Sequence, residues 1–405
     1  MENVILKIKD LEDFGRGISH FNGKVVFIPF SLKDEQVSVR LVKETSKYYL
    51  GEVKELLLKS PCRIESICPY FTECGGCQLL HQMYKDQVEY KITKLKHQLQ
   101  FYLEKRASFT FAPAQKNLFY RDNVTFHVKG NKFGFLKFQT HQIIPIDKCY
   151  IVDDSINNIL PSISKFLENN RFLEEITIRK GVKTNDLMLV LKGKITNKDF
   201  SCFKDSITSL VVNDDIIWGE PYFENYIFGK KFLCSGDSFF QVNTYMIEEL
   251  YQPMIDFVKN YSVHTVLDLY CGTGTIGLSL ASYVDKVIGI EINKSAVRLA
   301  NMNASLNHFS NTKFYDGKAE EVLSKITEKC DLIVVDPPRT GLDKKTINFL
   351  LESDCSNIFY VSCNVMTLRR DLAFLSTCYD VTYIKGVDMF PNTYHVECVC
   401  LLKRR

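Results

Sequence analysis

The sequence predicts a multidomain α/β protein, and three observations carry that reading. At 405 residues the chain exceeds one ordinary domain, for which about 150 residues is typical. Its first 58 residues read as a run of short strands. From about residue 226 a strand, glycine turn, helix, strand rhythm repeats, the pattern of an open, doubly wound, Rossmann-like domain. Units are therefore expected at 1–58, 59–225 and 226–405.

Taken in order, Val4–Ile8, Gly23–Ile28, Val37–Val42 and Tyr48–Val53 are the strands of a small OB-like β-barrel, since Val37, Val39 and Leu41 alternate with Ser38, Arg40 and Val42. From Tyr84 to about Glu104, Val88, Ile92, Leu95, Leu99 and Leu103 recur at helical spacing. Lys85, Lys91, Lys94 and Lys96 are then expected on the outer face. Between 117 and 225, β-like runs at Asn123–Val128, Phe133–Phe138, Glu175–Arg179 and Asp186–Leu191 flank an amphipathic Ile156–Leu167, so the middle reads as α+β. Strands follow at Thr265–Leu269, Val287–Glu291, Asp331–Asp336 and Ile358–Val361.

Composition narrows the function classes. Hydrophobic residues make up 45% and charged residues 24%, and no apolar run approaches the ~18 residues of a transmembrane helix. The N-terminus lacks a signal-peptide pattern, so a cytoplasmic protein is expected, with 14 cysteines that do not form a disulfide scaffold. The net charge is only +3, yet residues 1–150 hold 23 basic against 16 acidic side chains, an asymmetry that points to a polyanionic partner or to an incidental solvated face.

The run Asp268-Leu-Tyr-Cys-Gly272-Thr-Gly274-Thr-Ile-Gly277 links a strand to a helix, with Glu291 ending the next strand. Such a turn suits close approach of a nucleotide-type ligand, and Glu291 suits ribose hydroxyls, but spacing alone does not separate an NAD-type site from an S-adenosylmethionine-type site. Tyr270, Glu291, Asp336 and Cys363 all fall at carboxyl ends of strands, where open α/β sheets bind ligands. Separately, Cys68-Pro-Tyr-Phe-Thr-Glu-Cys74-Gly-Gly-Cys77 sets three thiols within ten residues, a pattern for a soft metal, with Cys62 the nearest fourth thiol.

Phe240-Gln241-Val-Asn243, the glycine run, Asp336-Pro-Pro-Arg339, Tyr360-Val-Ser-Cys363-Asn-Val-Met-Thr-Leu-Arg-Arg-Asp371 and Pro391-Asn-Thr-Tyr-His-Val-Glu397 resemble the motif series of the S-adenosylmethionine-dependent RNA (uracil-5-)-methyltransferases. The first segment resembles the TRAM module of that family's ribosomal RNA branch. The resemblance implies a class I methyltransferase domain at 226–405 and cofactor contacts from Gln241, Tyr270, Glu291 and Asp336. It makes Cys363 the nucleophile and Glu397 the proton acceptor. Arg121, in Tyr120-Arg-Asp122, becomes a candidate substrate contact, although Asp122 stands where the family has an amide. Cys149 matches the distant ligand of iron-sulfur members, so Cys68, Cys74, Cys77 and Cys149 are the expected ligands of a 4Fe-4S cluster, with zinc the alternative.

The implied chemistry is consistent with these residue types. Uracil C5 is a poor nucleophile until a thiolate adds to C6 and gives C5 enolate character; a base must later remove the C5 proton. The expectation is a monomeric enzyme that makes 5-methyluridine in RNA, with large-subunit ribosomal RNA the favoured substrate and transfer RNA the runner-up. An amino-methyltransferase reading of Asp-Pro-Pro finds Arg339 where an aromatic is usual. An NAD-linked oxidoreductase leaves Cys363 and the basic barrel without a task, and a non-catalytic iron-sulfur RNA-binding protein is the remaining alternative.

Overall fold

Five parallel strands form the centre of the C-terminal unit in the computed structural model, which describes residues 3–138, 140–322, 326 and 328–405. Their order is Thr312–Asp316, Lys286–Glu291, Thr265–Leu269, Leu332–Val335 and Asn357–Ser362. Val266, Val287 and Val334 face one core while Leu267, Ile288 and Ile333 face the other, as expected for strands covered by helices on both sides. Glu397–Arg404 adds antiparallel to Asn357–Ser362, then Tyr379–Val387 adds antiparallel to that. Ser108–Ala112 closes the eight-stranded sheet, parallel to Tyr379–Val387.

That last strand lies within the span read from sequence as the middle unit. So does the helix Tyr84–Gln98, which packs on the helix Val365–Leu375. The limit drawn between 225 and 226 falls inside the strand Tyr222–Ile227. Local periodicity does not reveal such exchanges, because they depend on which apolar face a distant element leaves uncovered.

Six strands between Asn3 and Leu58 form the N-terminal sheet around Ile8, Val26, Ile28, Val37 and Val39. Seven strands between Asn123 and Trp218 form the middle sheet, on which Ile163, Phe166 and Leu167 of the helix Leu160–Glu168 are buried.

The helix expected over 84–104 is broken at Leu99 into Tyr84–Gln98 and Gln100–Glu104. Its buried face also differs from the apolar stripe: Gln87, Lys91, Leu95 and Gln98 are covered, while Val88 and Ile92 are half-buried. Lys91 is therefore not on the outer face. Its ammonium lies fully buried 2.6 Å from Asp388 Oδ1 and donates to the Phe390 carbonyl at 2.9 Å. Lys94 is also turned inward, donating to the carbonyls of Asp13 (2.6 Å) and Tyr394 (3.0 Å). Burying an ammonium is tolerable only with such partners, and they come from elements remote in sequence.

Among the described residues, no helix is long and apolar enough to cross a membrane.

Candidate active site

Strand register brings the two expected reacting groups together. Ser362 pairs with Cys398 across antiparallel strands, so Cys363, just past the end of one strand, and Glu397, at the start of the other, lie at the same end of the ladder. They are near enough for the charge of Glu397 to act on the Cys363 thiol. Cys363 is half-buried on the wall of a cavity of about 140 Å³, with Phe14, Arg339, Tyr394 and His395 among its neighbours. Glu397 sits behind it, 3% exposed.

The loop after Ser362 is tied to the loop after Val335. The Asn364 side-chain amide donates to the Arg339 carbonyl at 3.0 Å, and its Oδ1 caps the helix Val365–Leu375 by accepting from Met366 N at 3.1 Å. Asp371 accepts from the Leu342 amide (2.8 Å) and the Tyr360 hydroxyl (2.7 Å), while Arg370 donates to the carbonyls of Thr340 and Leu342. The Arg-Asp end of the cysteine motif thus holds the Asp-Pro-Pro-Arg loop in place.

The glycine turn is open in one place. A Cβ on Gly272, at φ +54°, would meet nothing within 4 Å, whereas on Gly274 it would press on Phe314 and Ala300, and on Gly277 on Val287 and Asp268. Only the first of the three glycines faces space; the others serve helix packing. Glu291 accepts from Gly272 N at 3.1 Å and Asn293 N at 2.8 Å, which aims its carboxylate at the turn. Tyr270 has φ +63°, a left-handed conformation uncommon for a bulky residue. Its hydroxyl is held near Thr346 (3.1 Å) and Asp343 (3.3 Å). The buried Thr273 Oγ1 and Asp268 Oδ1 have no protein partner, as in a cradle built for a polar ligand. Gln241 is buried in the loop that precedes the helix Thr244–Asn260.

The electrostatics of this pocket suit a cation. Burial raises Asp336 to about 7, and burial together with the charge of Asp336 raises Glu397 to about 8, against the pull of Arg339. Asp268 is pushed up to about 8 by burial, with Asp336 and Glu291 adding repulsion. Carboxyls that are costly to ionise together become easier to ionise beside a positive ligand. The Cys363 thiol is raised to about 11, first by burial and then by Glu397.

One group near the chemistry escapes a reading by local pattern. Phe14 comes from the N-terminal sheet and stands edge-on to Tyr394, ring centroids 5.5 Å apart. Its loop is clamped by Tyr90, whose hydroxyl donates to the Glu12 carbonyl at 2.8 Å, and by Gln98, which donates to Asp13 Oδ2 at 2.7 Å. Single half-exposed aromatics carry no periodic signal, so only the fold brings Phe14 to the site. Arg121 is placed elsewhere: it lines a second cavity and donates to the Asn123 carbonyl at 2.9 Å. Asp122 is buried and accepts from Thr244 N (3.0 Å) and Oγ1 (2.6 Å), so here the carboxylate anchors the start of the helix Thr244–Asn260.

That second cavity, of about 240 Å³, is lined by Cys68, Cys74, Cys77 and Cys149 together. The Tyr70 hydroxyl donates to Asp147 Oδ1 at 2.6 Å, joining the two cysteine-bearing loops. Asn157 fixes the Cys149 backbone on both sides, accepting from its amide (2.9 Å) and donating to its carbonyl (3.0 Å). Among the described residues no group of three or more His, Cys, Asp or Glu side chains converges as closely as a single metal ion requires. Cys62 lies apart, 3.2 Å from Ser60 Oγ.

A family model described as tRNA (Uracil-5-)-methyltransferase matches residues 225–405, and a TRAM domain model matches residues 3–54. An uncharacterized RNA methyltransferase of Clostridium acetobutylicum is 34% identical, covering 98% of this chain and 96% of its own length. Another, from Caldanaerobacter subterraneus subsp. tengcongensis, is 32% identical over 100% of this chain and 99% of its own. Among solved structures, the tRNA (uracil-54, C5)-methyltransferase of Pyrococcus abyssi, in complex with S-adenosyl-L-homocysteine, superposes with a TM-score of 0.83 at 27% identity, covering 98% of this chain and 99% of that one.

Proposed function

The chain belongs to the S-adenosylmethionine-dependent RNA (uracil-5-)-methyltransferase family, and from that premise we propose that it methylates C5 of a uridine through a covalent adduct on Cys363. The observation that carries this reading is the nearness of Cys363 and Glu397, at adjacent strand ends beside the Asp-Pro-Pro-Arg loop. S-adenosylmethionine, when bound, supplies an electrophilic sulfonium methyl. Gln241, Tyr270, Glu291 and Asp336 would hold it, and the unfilled space over Gly272 and the cation-favouring carboxyls fit such a ligand.

The side chains of the site have the following tasks. Cys363 reacts as its thiolate, its proton passing to solvent water; Sγ bonds to C6 of the uracil, which shifts the C5–C6 π electrons onto C5 and the O4 carbonyl. C5 then takes the methyl group. Glu397, as carboxylate, accepts the C5 proton, and the returning electron pair expels Cys363 from C6 and restores the ring. Phe14 and Tyr394 border the pocket where the extruded base would lie.

Large-subunit ribosomal RNA is the proposed substrate, supported by the TRAM module together with the four-cysteine cavity. A transfer RNA substrate is the second reading, favoured by the activity of the Pyrococcus abyssi protein. We place the enzyme in the cytoplasm as a monomer. Cys68, Cys74, Cys77 and Cys149 would hold a 4Fe-4S cluster. The support for this ligand set is that the four thiols line one cavity, with zinc the alternative occupant. Such a cluster would staple the 68–77 loop to the middle sheet, since methyl transfer needs no net electron.

The direct test uses ribosomal RNA and transfer RNA labelled with tritium at uridine C5. Release of tritium to water that depends on S-adenosylmethionine and matches methyl incorporation supports the reaction, and the responding RNA identifies the substrate class. Methylation without tritium release would overturn it.

A further inference from the structure

A groove of about 820 Å³ runs between the helix Gln100–Glu104 and the helix Val365–Leu375, outside the reaction pocket. We propose that it is a second nucleic-acid subsite, which seats unpaired nucleotides flanking the target uridine. This inference rests on the RNA reading above.

Three large apolar side chains stand open to solvent there: Phe101 at 54%, Phe374 at 53% and Met366 at 44%. They do not form a plain apolar patch, because His97, Lys105 and Arg369 are interleaved with them and, among the described residues, no carboxylate lines the groove. The Lys105 ammonium sits 4.3 Å from the Phe101 ring centroid, so one wall already presents a cation beside an aromatic face. Arg369 donates to Gln98 Oε1 at 2.9 Å, and both residues line the groove, so this bond anchors the guanidinium at its wall. Stacking faces alternating with cations are what a single strand requires, since every base has a π-face and every linkage a negative charge.

The groove is continuous with the chemistry. Met366 lines both it and the Cys363 cavity, three residues beyond the nucleophile. Met366, Arg369 and Ala373 recur at helical spacing on the face that meets the groove. At its far end the surface turns to Glu104, Arg106, Asp380 and Arg405, where Arg405 pairs with Asp380 at 2.9 Å. The cationic, aromatic stretch therefore begins at the reaction pocket and stops where carboxylates appear. A strand leaving that pocket would find its phosphates and bases matched along this length and no further.

The test measures binding of a 5′-fluorescein-labelled 12-mer oligouridylate to the full chain by anisotropy, followed by photocrosslinking of its 4-thiouridine form and peptide mapping. The Phe101→Ala/Phe374→Ala double variant should bind about tenfold more weakly, the loss expected for one or two stacked bases. Lys105→Ala should flatten the slope of log affinity against log salt by about 0.7. Phe172→Ala, a control at an aromatic that is 62% exposed on the middle sheet, should bind as the parent does. Crosslinks should fall in residues 97–105 and 366–377. Affinity unchanged in the double variant, no binding by the parent, or crosslinks confined elsewhere would overturn the proposal. So would a dimer in sedimentation that the double variant abolishes, since the groove would then seat a second copy. The assay reads no methyl transfer: groove-dependent binding without C5 tritium release would count against the reaction and leave the subsite standing.

Discussion

The side-chain amide of Asn364 donates to the carbonyl of Arg339 across 3.0 Å, so the residue after Cys363 is bonded to the loop that carries Asp336. Together with the bonds of Thr367, Arg370 and Asp371, it fixes the loop of Cys363 against the loop of Asp336. Displacing a reacting group by ~1 Å can cost about a hundredfold in rate. Asn364→Ala should lower kcat by about that factor and leave the KM for S-adenosylmethionine within about threefold of the parent. Steady-state kinetics checks this; a change confined to KM would contradict it.

The pH profile follows from Glu397. Its carboxyl is raised to about 8, and the proposed reaction uses it as the carboxylate. Raising the pH through that value removes the proton, so kcat/KM should climb from pH 6 and bend near 8. Glu397→Gln should lose the bend and about 10² to 10⁴ of the rate, with a methylated RNA adduct accumulating on Cys363 because the C5 proton has no acceptor. A flat profile between pH 6 and 8 in the parent would refute the role.

The buried pair of Lys91 and Asp388 makes a separate prediction about stability. Both side chains are fully covered, and Asp388 Oδ2 accepts from the Tyr84 hydroxyl at 2.9 Å. Lys91→Met strands the carboxylate and should cost about 3–5 kcal/mol in urea unfolding. Lys91→Met combined with Asp388→Leu should recover most of that loss.

Phe14 tests whether the N-terminal sheet serves the reaction pocket. Phe14→Ala removes a half-exposed ring that packs on Tyr394 and should raise the KM for RNA about fivefold or more, without altering that for S-adenosylmethionine. Equal effects on both constants would mean a loss of fold instead.

For the cysteine cavity, protein purified without oxygen should be brown and contain iron and acid-labile sulfide in equal amounts. Cys149→Ser should lose both and melt at a lower temperature, because a group bound only by the native state stabilises it. Stoichiometric zinc in place of iron would contradict the cluster.

The parallel core of the C-terminal unit was legible because its strands are apolar runs ending in chemistry-bearing residues: Thr265–Leu269 before Tyr270, and Leu332–Val335 before Asp336. The nearness of Cys363 and Glu397 was legible only through resemblance, since 33 residues and an intervening strand separate them in sequence. Lys91 was misplaced by periodicity because its partners, Asp388 and the Phe390 carbonyl, lie almost 300 residues away. Arg121 is set at the cysteine cavity and Phe14 at the reaction pocket by domain packing, on which local sequence is silent.

The account stands most directly on one mass spectrum. Incubated with S-adenosylmethionine and RNA carrying 5-fluorouridine, which cannot release fluorine as a proton, the protein should form a stable adduct. After nuclease and protease digestion, the peptide containing residue 363 should carry a 5-fluoro-5-methyluridine residue on Cys363. Full activity on ordinary RNA, with the fluorinated base recovered free or attached at any other residue, would contradict it.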